Sequence, residues 1–299
     1  MAERSDRRGP RRARAQPATP YCYPAHLRSA IDDLPALPGV YLFYGEQGEL
    51  PLYIGKSVNI RQRVLSHFRT VEEARMLHQT RHIRHIRTPG EIGALLLEAR
   101  LIKEQQPLYN QRLRRNRQLC SLQLQGTQPQ VVYSRDVDFA TQTGLYGLFS
   151  SQRAALDTLR QLADAHRLCY GLLGLERLTP GKPCFRAMLR QCAGACRGDE
   201  SAADHFERLR TQLDALRVAC WPYAGTVGLV ERASDSTDWQ VHVIRNWSYL
   251  GSLDGATTPD LHAAARQLNR QQAGFDADGY KILCRPLLSG TMEILPLSD

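Results

Sequence analysis

The hydrophobic pattern of residues 39–68 predicts a β-hairpin followed by a helix. Residues 40–44 and 52–54 are rich in aromatic and β-branched side chains, which favour strands, and glycines separate the two runs. Ser57 is the predicted N-cap of a helix over 58–68. The apolar side chains of that helix recur at helical spacing: Ile60, Val64 and Leu65.

A second amphipathic helix is predicted to begin at Pro89. Thr88 and Glu91 have the spacing of a capping box, and proline is favoured at the first helical position. The apolar stripe of this helix consists of Ile92, Leu95, Leu96, Ala99 and Ile102. Glu98 lies on or at the edge of that stripe, where an acidic side chain is costly unless it is paired or binds a metal.

Later segments predict further elements and no internal repeat. Strands are expected at 82–87, 119–124, 131–134, 226–231, 239–245 and 281–284, and helices at 151–168 and 202–218. We therefore predict a mixed α+β protein in four parts. These are a disordered basic arm (1–25), a small α/β unit with an antiparallel sheet flanked by helices (26–117), a helical region around a cysteine cluster (118–221), and a strand-rich C-terminal region (222–299).

Positive charge favours a polyanionic partner. The 299 residues carry a formal charge of +9, with a sequence pI of about 9.3. Residues 56–117 hold fourteen basic side chains against five acidic ones, an excess equal to the net charge of the whole chain. The arginines that we predict to contact a nucleic acid are Arg61, Arg112, Arg114, Arg115 and Arg117.

The chain holds eight cysteines, and neither a signal peptide nor a membrane-spanning stretch is evident. We expect a cytoplasmic protein whose cysteines are thiols or metal ligands rather than disulfides. Cys169, Cys184, Cys192 and Cys196 are separated by fourteen, seven and three residues. Four thiolates suit a [4Fe-4S] cluster or zinc, and the lack of a Cys-x-x-Cys pair favours the cluster over a zinc finger.

Five elements of the α/β unit (26–117) together resemble the GIY-YIG nuclease domain over about residues 34–113. They are Gly39-Val40-Tyr41, Tyr53-Ile54-Gly55, Arg63, Glu98 and Asn110. The resemblance implies an endonuclease that hydrolyses a phosphodiester with the help of one divalent cation. Such a reaction requires an activated water, charge neutralisation at the phosphate and assistance to the leaving oxygen.

The resemblance assigns the central roles to four residues. Glu98 would hold the cation, Mg²⁺ or Mn²⁺. Tyr53 would take the proton of the attacking water, which requires nearby cations to lower its pKa from the usual value of about 10. Lys56 and Arg63 would supply that positive field, and Arg63 would also clamp the scissile phosphate.

Three further residues have supporting roles by the same resemblance. His67 would hydrogen-bond the phosphate or the nucleophile, and Tyr41 would orient Tyr53 across the hairpin. Asn110 would brace the hydrogen bonds of the active site.

The cysteine cluster extends the resemblance to the N-terminal half of UvrC, a subunit of bacterial nucleotide excision repair, and to its short homologues. Pro183 precedes Cys184, and the stretch 190–196 reads Arg-Gln-Cys-Ala-Gly-Ala-Cys. This resemblance implies cleavage 3′ to a lesion in double-stranded DNA that UvrA and UvrB have marked. The segment after Pro222 is too short for the second, RNase H-like centre of UvrC, so we expect one incision, made by a monomer.

Two alternatives stay open from the sequence. One is a nuclease that cuts branched DNA without UvrB. The other is a non-catalytic nucleic-acid-binding protein with the same fold, although such a protein would be expected to lose Tyr53, Arg63 or Glu98, and all three are present.

Overall fold

Three antiparallel sheets organise the part of the chain that the computed structural model describes, namely residues 24–46, 48, 50–110, 119–270 and 274–297. The predicted basic arm falls outside these residues up to position 23. The predicted DNA contacts Arg112, Arg114, Arg115 and Arg117 also lie outside them.

The first sheet has the order β2-β1-β3. Its strands are β1 (Gly39–Tyr44), β2 (Pro51–Ser57) and β3 (His82–Arg87). Helices α1 (Arg28–Asp32), α2 (Ile60–His67) and α3 (Ala74–Gln79) supply the core on one face. Helix α4 (Glu91–Gln105) packs on the other face, so both faces of β1 are buried.

The second sheet, of order β5-β4-β6, consists of β4 (Cys120–Gln125), β5 (Gln128–Tyr133) and β6 (Leu145–Phe149). Leucines of α5 (Gln152–Ala165) and α7 (Ala202–Asp214) form the core against it. The cysteine segment, with the short helix α6 (Phe185–Met188), lies between these two helices in the sequence.

The third sheet has the order β10-β7-β8-β9. Its strands are β7 (Val227–Arg232), β8 (Trp239–Arg245), β9 (Ser248–Asp254) and β10 (Ile294–Pro296). Helix α8 (Leu261–Asn269) packs on one face. Helix α9 (Ala277–Leu288) packs on the other face, together with Leu96 of α4. The α/β unit predicted over 26–117 and the C-terminal region therefore share α4.

Three local predictions were wrong, and two of them concern the N-termini of helices. The N-cap of α2 is Asn59, whose Oδ1 accepts from the backbone N–H of Gln62 at 2.9 Å, and not Ser57. Helix α4 begins at Glu91 after Gly90, so Thr88 forms no capping box. The Thr88 hydroxyl instead donates to the carbonyl of Gly90 at 2.8 Å.

The segment 281–284 is helical, as part of α9, and not a strand. Tyr280, Leu283 and Leu287 recur at helical spacing, and all three pack into the core beneath the third sheet. Within the described residues, no helix is long and apolar enough to span a bilayer.

Candidate active site

A cavity of about 410 Å³ opens where β2, α2 and α4 meet. Five of its lining residues were predicted from the sequence: Tyr41, Tyr53, Lys56, Arg63 and Glu98. Ser57, Val58 and Glu91 complete the lining and were not predicted as site residues. The fold thus gathers side chains from positions 41 to 98 around one volume.

Glu98 and Asn110 both bind the open edge of β2. Glu98 Oε1 accepts from the backbone N–H of Lys56 at 2.9 Å. Asn110 accepts from the N–H of Ile54 at 2.9 Å and donates to its carbonyl at 2.7 Å. An edge strand has unpaired backbone groups, and these two side chains satisfy them. Asn110 therefore braces the backbone beside Tyr53 and does not line the cavity.

The two tyrosines lie on one face of the hairpin, and Gly55 makes room for them. Tyr41 pairs with Gly55 across the strands, and its ring centroid lies 6.2 Å from that of Tyr53. A Cβ atom at position 55 would lie 2.3 Å from the Tyr41 hydroxyl and 2.9 Å from Tyr53. Only glycine leaves space for this arrangement, as strand glycines do where another group approaches closely.

Replacing Gly55 with alanine should therefore displace both hydroxyls and lower the cleavage rate by about 100-fold, since small misplacements of reacting groups have effects of this size. Gly45→Ala is the matched control, because a Cβ there meets its nearest neighbours at an ordinary 3.6 Å. Single-turnover cleavage and thermal unfolding of both variants check this expectation. Equal rates for the two variants would contradict it.

His67 lies behind Tyr41 rather than in the cavity. Its Nε2 is 2.6 Å from the Tyr41 hydroxyl, its Nδ1 is 2.5 Å from Glu73 Oε2, and the residue is 1% exposed. The direct contact with phosphate or nucleophile that the sequence suggested is therefore blocked in this arrangement. Glu73, the third member of the Tyr41–His67–Glu73 chain, was missed, although it follows His67 by only six residues.

Burial dominates the electrostatics of the two tyrosines. It raises the pKa of Tyr41 far above the ordinary range, and the neighbouring charge of Tyr53 adds to this effect. Burial and then the charge of Glu98 raise the pKa of Tyr53, and the opposing hydrogen bond with Tyr41 and charge of Arg63 do not offset them. Arg63 thus lowers the pKa of Tyr53 as expected, but burial and Glu98 outweigh it, so the pKa is raised in the protein alone.

The basic side chains near the cavity differ in whether they are available to bind a phosphate. Lys56 Nζ forms an ion pair with Glu91 Oε1 at 2.6 Å and so already has an anionic partner. Arg63 is exposed, donates to Ser66 Oγ at 3.2 Å and interacts with both tyrosines. Arg61 lies 3.6 Å from Asp32 Oδ1 and does not line the cavity. Among the arginines that the structure describes, Arg63 is therefore the one that lines the cavity and can meet a phosphate there.

Glu98 is partly buried, and burial raises the pKa of its carboxyl, opposed by the Lys56 backbone N–H and by the charges of Lys56 and Arg63. Glu91 is the other carboxylate among the described residues that line the cavity, and it is already paired with Lys56. A partly desolvated acid facing a polar cavity fits a hard divalent cation that keeps most of its waters.

The four predicted cysteine ligands also converge. The Sγ of Cys184 lies 3.6 Å from that of Cys169 and 4.0 Å from that of Cys192. Cys196 Sγ accepts from the backbone N–H of Cys184 at 3.3 Å, and the sulfurs of Cys169, Cys184 and Cys196 lie within 4.8 Å of one another. These residues form their own buried cluster, and none of them lines the cavity beside β2.

Known families match each of the three regions. The UvrC-like GIY-YIG domain matches residues 37–111, the middle domain of UvrC and Cho excinucleases matches 119–215, and the C-terminal domain of excinuclease Cho matches 226–299. Together with the cavity between β2, α2 and α4, they define an endonuclease of the UvrC-like GIY-YIG class.

Individual relatives narrow the class further. Excinuclease Cho of Escherichia coli K12 is 59% identical over 280 residues, which cover 93% of this chain and 91% of that protein. UvrABC system protein C of Caldicellulosiruptor saccharolyticus is 32% identical over 58% of this chain and 30% of its own length. The chain belongs to the excinuclease Cho family, whose members are DNA endonucleases of excision repair, as the resemblance to the short UvrC homologues implied.

Among solved structures, the GIY-YIG domain of UvrC from Thermotoga maritima, described as bound to its catalytic divalent cation, magnesium, is 32% identical. The match covers 29% of this chain and 97% of that domain, with a TM-score of 0.26.

Proposed function

We propose that this protein hydrolyses one phosphodiester bond on the 3′ side of a lesion in double-stranded DNA that UvrA and UvrB have marked. The observation that carries the nuclease chemistry is the convergence of Tyr53, Arg63 and Glu98 on one cavity. Family membership supports excision repair, and the positive charge of the nuclease unit suits DNA.

In the proposed reaction, Arg63 binds two oxygens of the scissile phosphate and aligns it with the attacking water. The phenolate form of Tyr53 accepts the proton of that water and becomes a phenol, and Tyr41, held by His67, keeps Tyr53 in place. Glu98 would hold one Mg²⁺ or Mn²⁺, and the cation would supply Lewis-acid stabilisation of charge at the phosphate and the leaving oxygen.

The partner requirement is tested with a duplex that carries a single defined lesion, ATP, Mg²⁺ and this protein, with and without UvrA and UvrB. One nick 3′ to the lesion, formed only when both partners are present, is the expected result. Intact strands at protein concentrations that saturate the DNA would reject the proposal. Cleavage of flaps or splayed arms without UvrB would instead identify a structure-specific nuclease.

The four clustered cysteines are proposed to hold a metal centre. Zinc–sulfur bonds of about 2.3 Å place the sulfurs of a tetrahedral site about 3.8 Å apart. Cys184 is 3.6 Å from Cys169 and 4.0 Å from Cys192, close to this spacing. Cys169, Cys184 and Cys196 lie within 4.8 Å of one another, so these three are the compact part of the proposed ligand set, and Cys192 approaches it through Cys184. The [4Fe-4S] cluster that the sequence favoured needs wider spacing, because each cysteine then binds a different iron. The geometry therefore favours a single ion.

Metal analysis of anaerobically purified protein decides between these groups. Stoichiometric zinc identifies the single ion, whereas a brown protein with equal amounts of iron and sulfide identifies the cluster. Cys184→Ser should lose the metal, and Cys120→Ser should keep it, because Cys120 is equally buried but contacts the carbonyl of Phe149 instead. Wild-type protein without stoichiometric metal would contradict the proposed centre.

The regional boundaries at 26–117, 118–221 and 222–299 and the monomeric state remain proposals. Limited proteolysis and sedimentation measurements test them. We expect cleavage near residues 118 and 222 and the mass of one chain.

A further inference from the structure

The N-terminus of α4 is capped by a side chain from the C-terminal region. Gly90 occupies the N-cap position and has no side chain to accept the first helical N–H groups. Glu231 of β7 takes this place: its Oε1 accepts from the N–H of Ile92 and its Oε2 from that of Gly93, both at 2.8 Å. A carboxylate at this point also meets the positive end of the helix dipole.

Buried partners hold Glu231 in this position. The residue is 6% exposed, and its Oε2 lies 3.1 Å from Nε2 of the fully buried His242. The other ring nitrogen of His242 lies 2.7 Å from Ser252 Oγ, which in turn is 2.6 Å from the Tyr249 hydroxyl. Burial opposes ionisation, but hydrogen bonds from His242 and from the N–H of Gly93 outweigh it and lower the pKa of Glu231. The cap is therefore an anion.

Two glycines of the nuclease unit let the carboxylate approach. A Cβ atom at Gly90 would lie 2.4 Å from Glu231 Oε1, and one at Gly93 would lie 2.9 Å from Glu231 Oε2 and from the His242 ring. Glycine inside a helix costs about 1 kcal/mol relative to alanine. The position of Gly93 in the first turn of α4 is explained by this close contact.

The rest of α4 is also attached to the C-terminal region. Leu96 packs into the core with Leu229 and Trp247. In the last turn, Lys103 Nζ lies 2.5 Å from Asp276 Oδ1 and 3.3 Å from Asp278 Oδ2. The C-terminal region thus holds the helix at its start, its middle and its end.

Glu98 lies on this helix, five residues after Gly93, and faces the nuclease cavity. We infer that the C-terminal region acts as a positioning scaffold for the nuclease site, with Glu231 as the positioning residue that fixes the axial placement of α4 and thereby of Glu98. This inference rests on the proposed function of Glu98 as the metal ligand. It assigns the C-terminal region a task in catalysis, through the helix that the two regions share.

Glu231→Gln in the full-length protein removes the charge with little change of shape. Glu293→Gln is its matched control, since Glu293 lies beside β10 and forms an exposed ion pair with Arg232 at 2.9 Å. We expect Glu231→Gln to raise the Mn²⁺ concentration for half-maximal cleavage by about tenfold, the effect of losing one charged hydrogen bond. Hydrogen exchange of the peptide that contains Ile92 and Gly93 should become faster, and DNA affinity without metal should stay unchanged.

Gly93→Ala is the second variant, and it tests the same contact from the side of α4. Its thermal unfolding is measured as well, so that a change in stability is recorded separately from a change in Mn²⁺ binding. Alanine is favoured in the helix itself, so any loss arises where the added Cβ meets Glu231 and the His242 ring. If the cap positions Glu98, this displacement raises the half-maximal Mn²⁺ concentration as Glu231→Gln does. If the contact serves stability alone, only the free energy of unfolding changes. Direct Mn²⁺ binding without DNA, followed by electron paramagnetic resonance, should weaken in both variants.

Glu98→Gln is included so that the two ideas fail separately. If Glu98→Gln is fully active, Glu98 is excluded as the metal ligand. If Glu98→Gln is inactive while Glu231→Gln and Gly93→Ala match the wild type in Mn²⁺ binding and amide exchange, only the scaffold inference is overturned. The scaffold inference is also overturned if Glu231→Gln changes the half-maximal Mn²⁺ concentration and the amide exchange no more than Glu293→Gln does.

Discussion

Glu98→Gln is expected to lower the rate of DNA cleavage by about 1,000-fold, which corresponds to the several kcal/mol that a catalytic cation contributes. Glutamine keeps the oxygen that accepts from the backbone N–H of Lys56, so the edge of β2 stays capped. The change removes the negative charge that attracts a divalent cation. The loss should therefore be catalytic rather than structural.

Single-turnover cleavage across a range of Mg²⁺ and Mn²⁺ concentrations measures this effect, and binding to DNA in a chelator measures affinity separately. Glu104→Gln is the matched control, because Glu104 lies on the same helix and forms only an exposed ion pair with Arg100. We expect Glu98→Gln to bind DNA normally and to improve at high metal concentration. If Glu98→Gln cleaves DNA at the wild-type rate, Glu98 is not the metal ligand.

Tyr53→Phe is expected to lower the cleavage rate by about 100- to 10,000-fold, the range for loss of a positioned general base. Phenylalanine preserves the ring contact with Tyr41 and with His67, whose centroid lies 5.3 Å from that of Tyr53. Tyr109→Phe is the control, since its hydroxyl donates to Gln79 outside the cavity. Equal cleavage rates for the two variants would exclude Tyr53 as the general base.

The pH dependence gives a second test of Tyr53. Burial and the charge of Glu98 raise its pKa, so the phenol is almost fully protonated near neutral pH. If the phenolate is the base, the wild-type rate should rise about tenfold per pH unit until the pKa is reached. Tyr53→Phe should lose that slope. A cation at Glu98 offsets the negative charge that disfavours the phenolate, so more metal should move the rise to lower pH.

The position of α4 between two sheets explains why one helix serves both stability and chemistry. Its Leu101 and Ile102 pack against β1, whereas Leu96 packs beneath the third sheet. Glu98 lies between these two apolar surfaces and reaches the cavity beside β2. Changes in the C-terminal region can therefore alter catalysis without touching the cavity.

The hairpin, its two tyrosines and the helix that carries Glu98 were all predictable from the amino-acid sequence. These features follow from local patterns: aromatic and β-branched runs, glycines, and apolar residues at helical spacing. The sequence also identified Arg63 and the cysteine cluster, because their spacing matches a known family. Residues 281–284 were the local failure, since a short apolar run is compatible with a strand or a buried helix.

Which side chains contact one another was not predictable from the sequence, because these contacts join distant segments. The Thr88 capping box failed because Glu231, 139 residues after Ile92, supplies the carboxylate instead. His67 turned inward because Tyr41 and Glu73 satisfy both ring nitrogens, and Lys56 paired with Glu91 because the fold brings β2 beside α4. Periodicity records which face of an element is buried, but hydrogen bonds between distant segments depend on the packed geometry, which leaves no local pattern in the sequence.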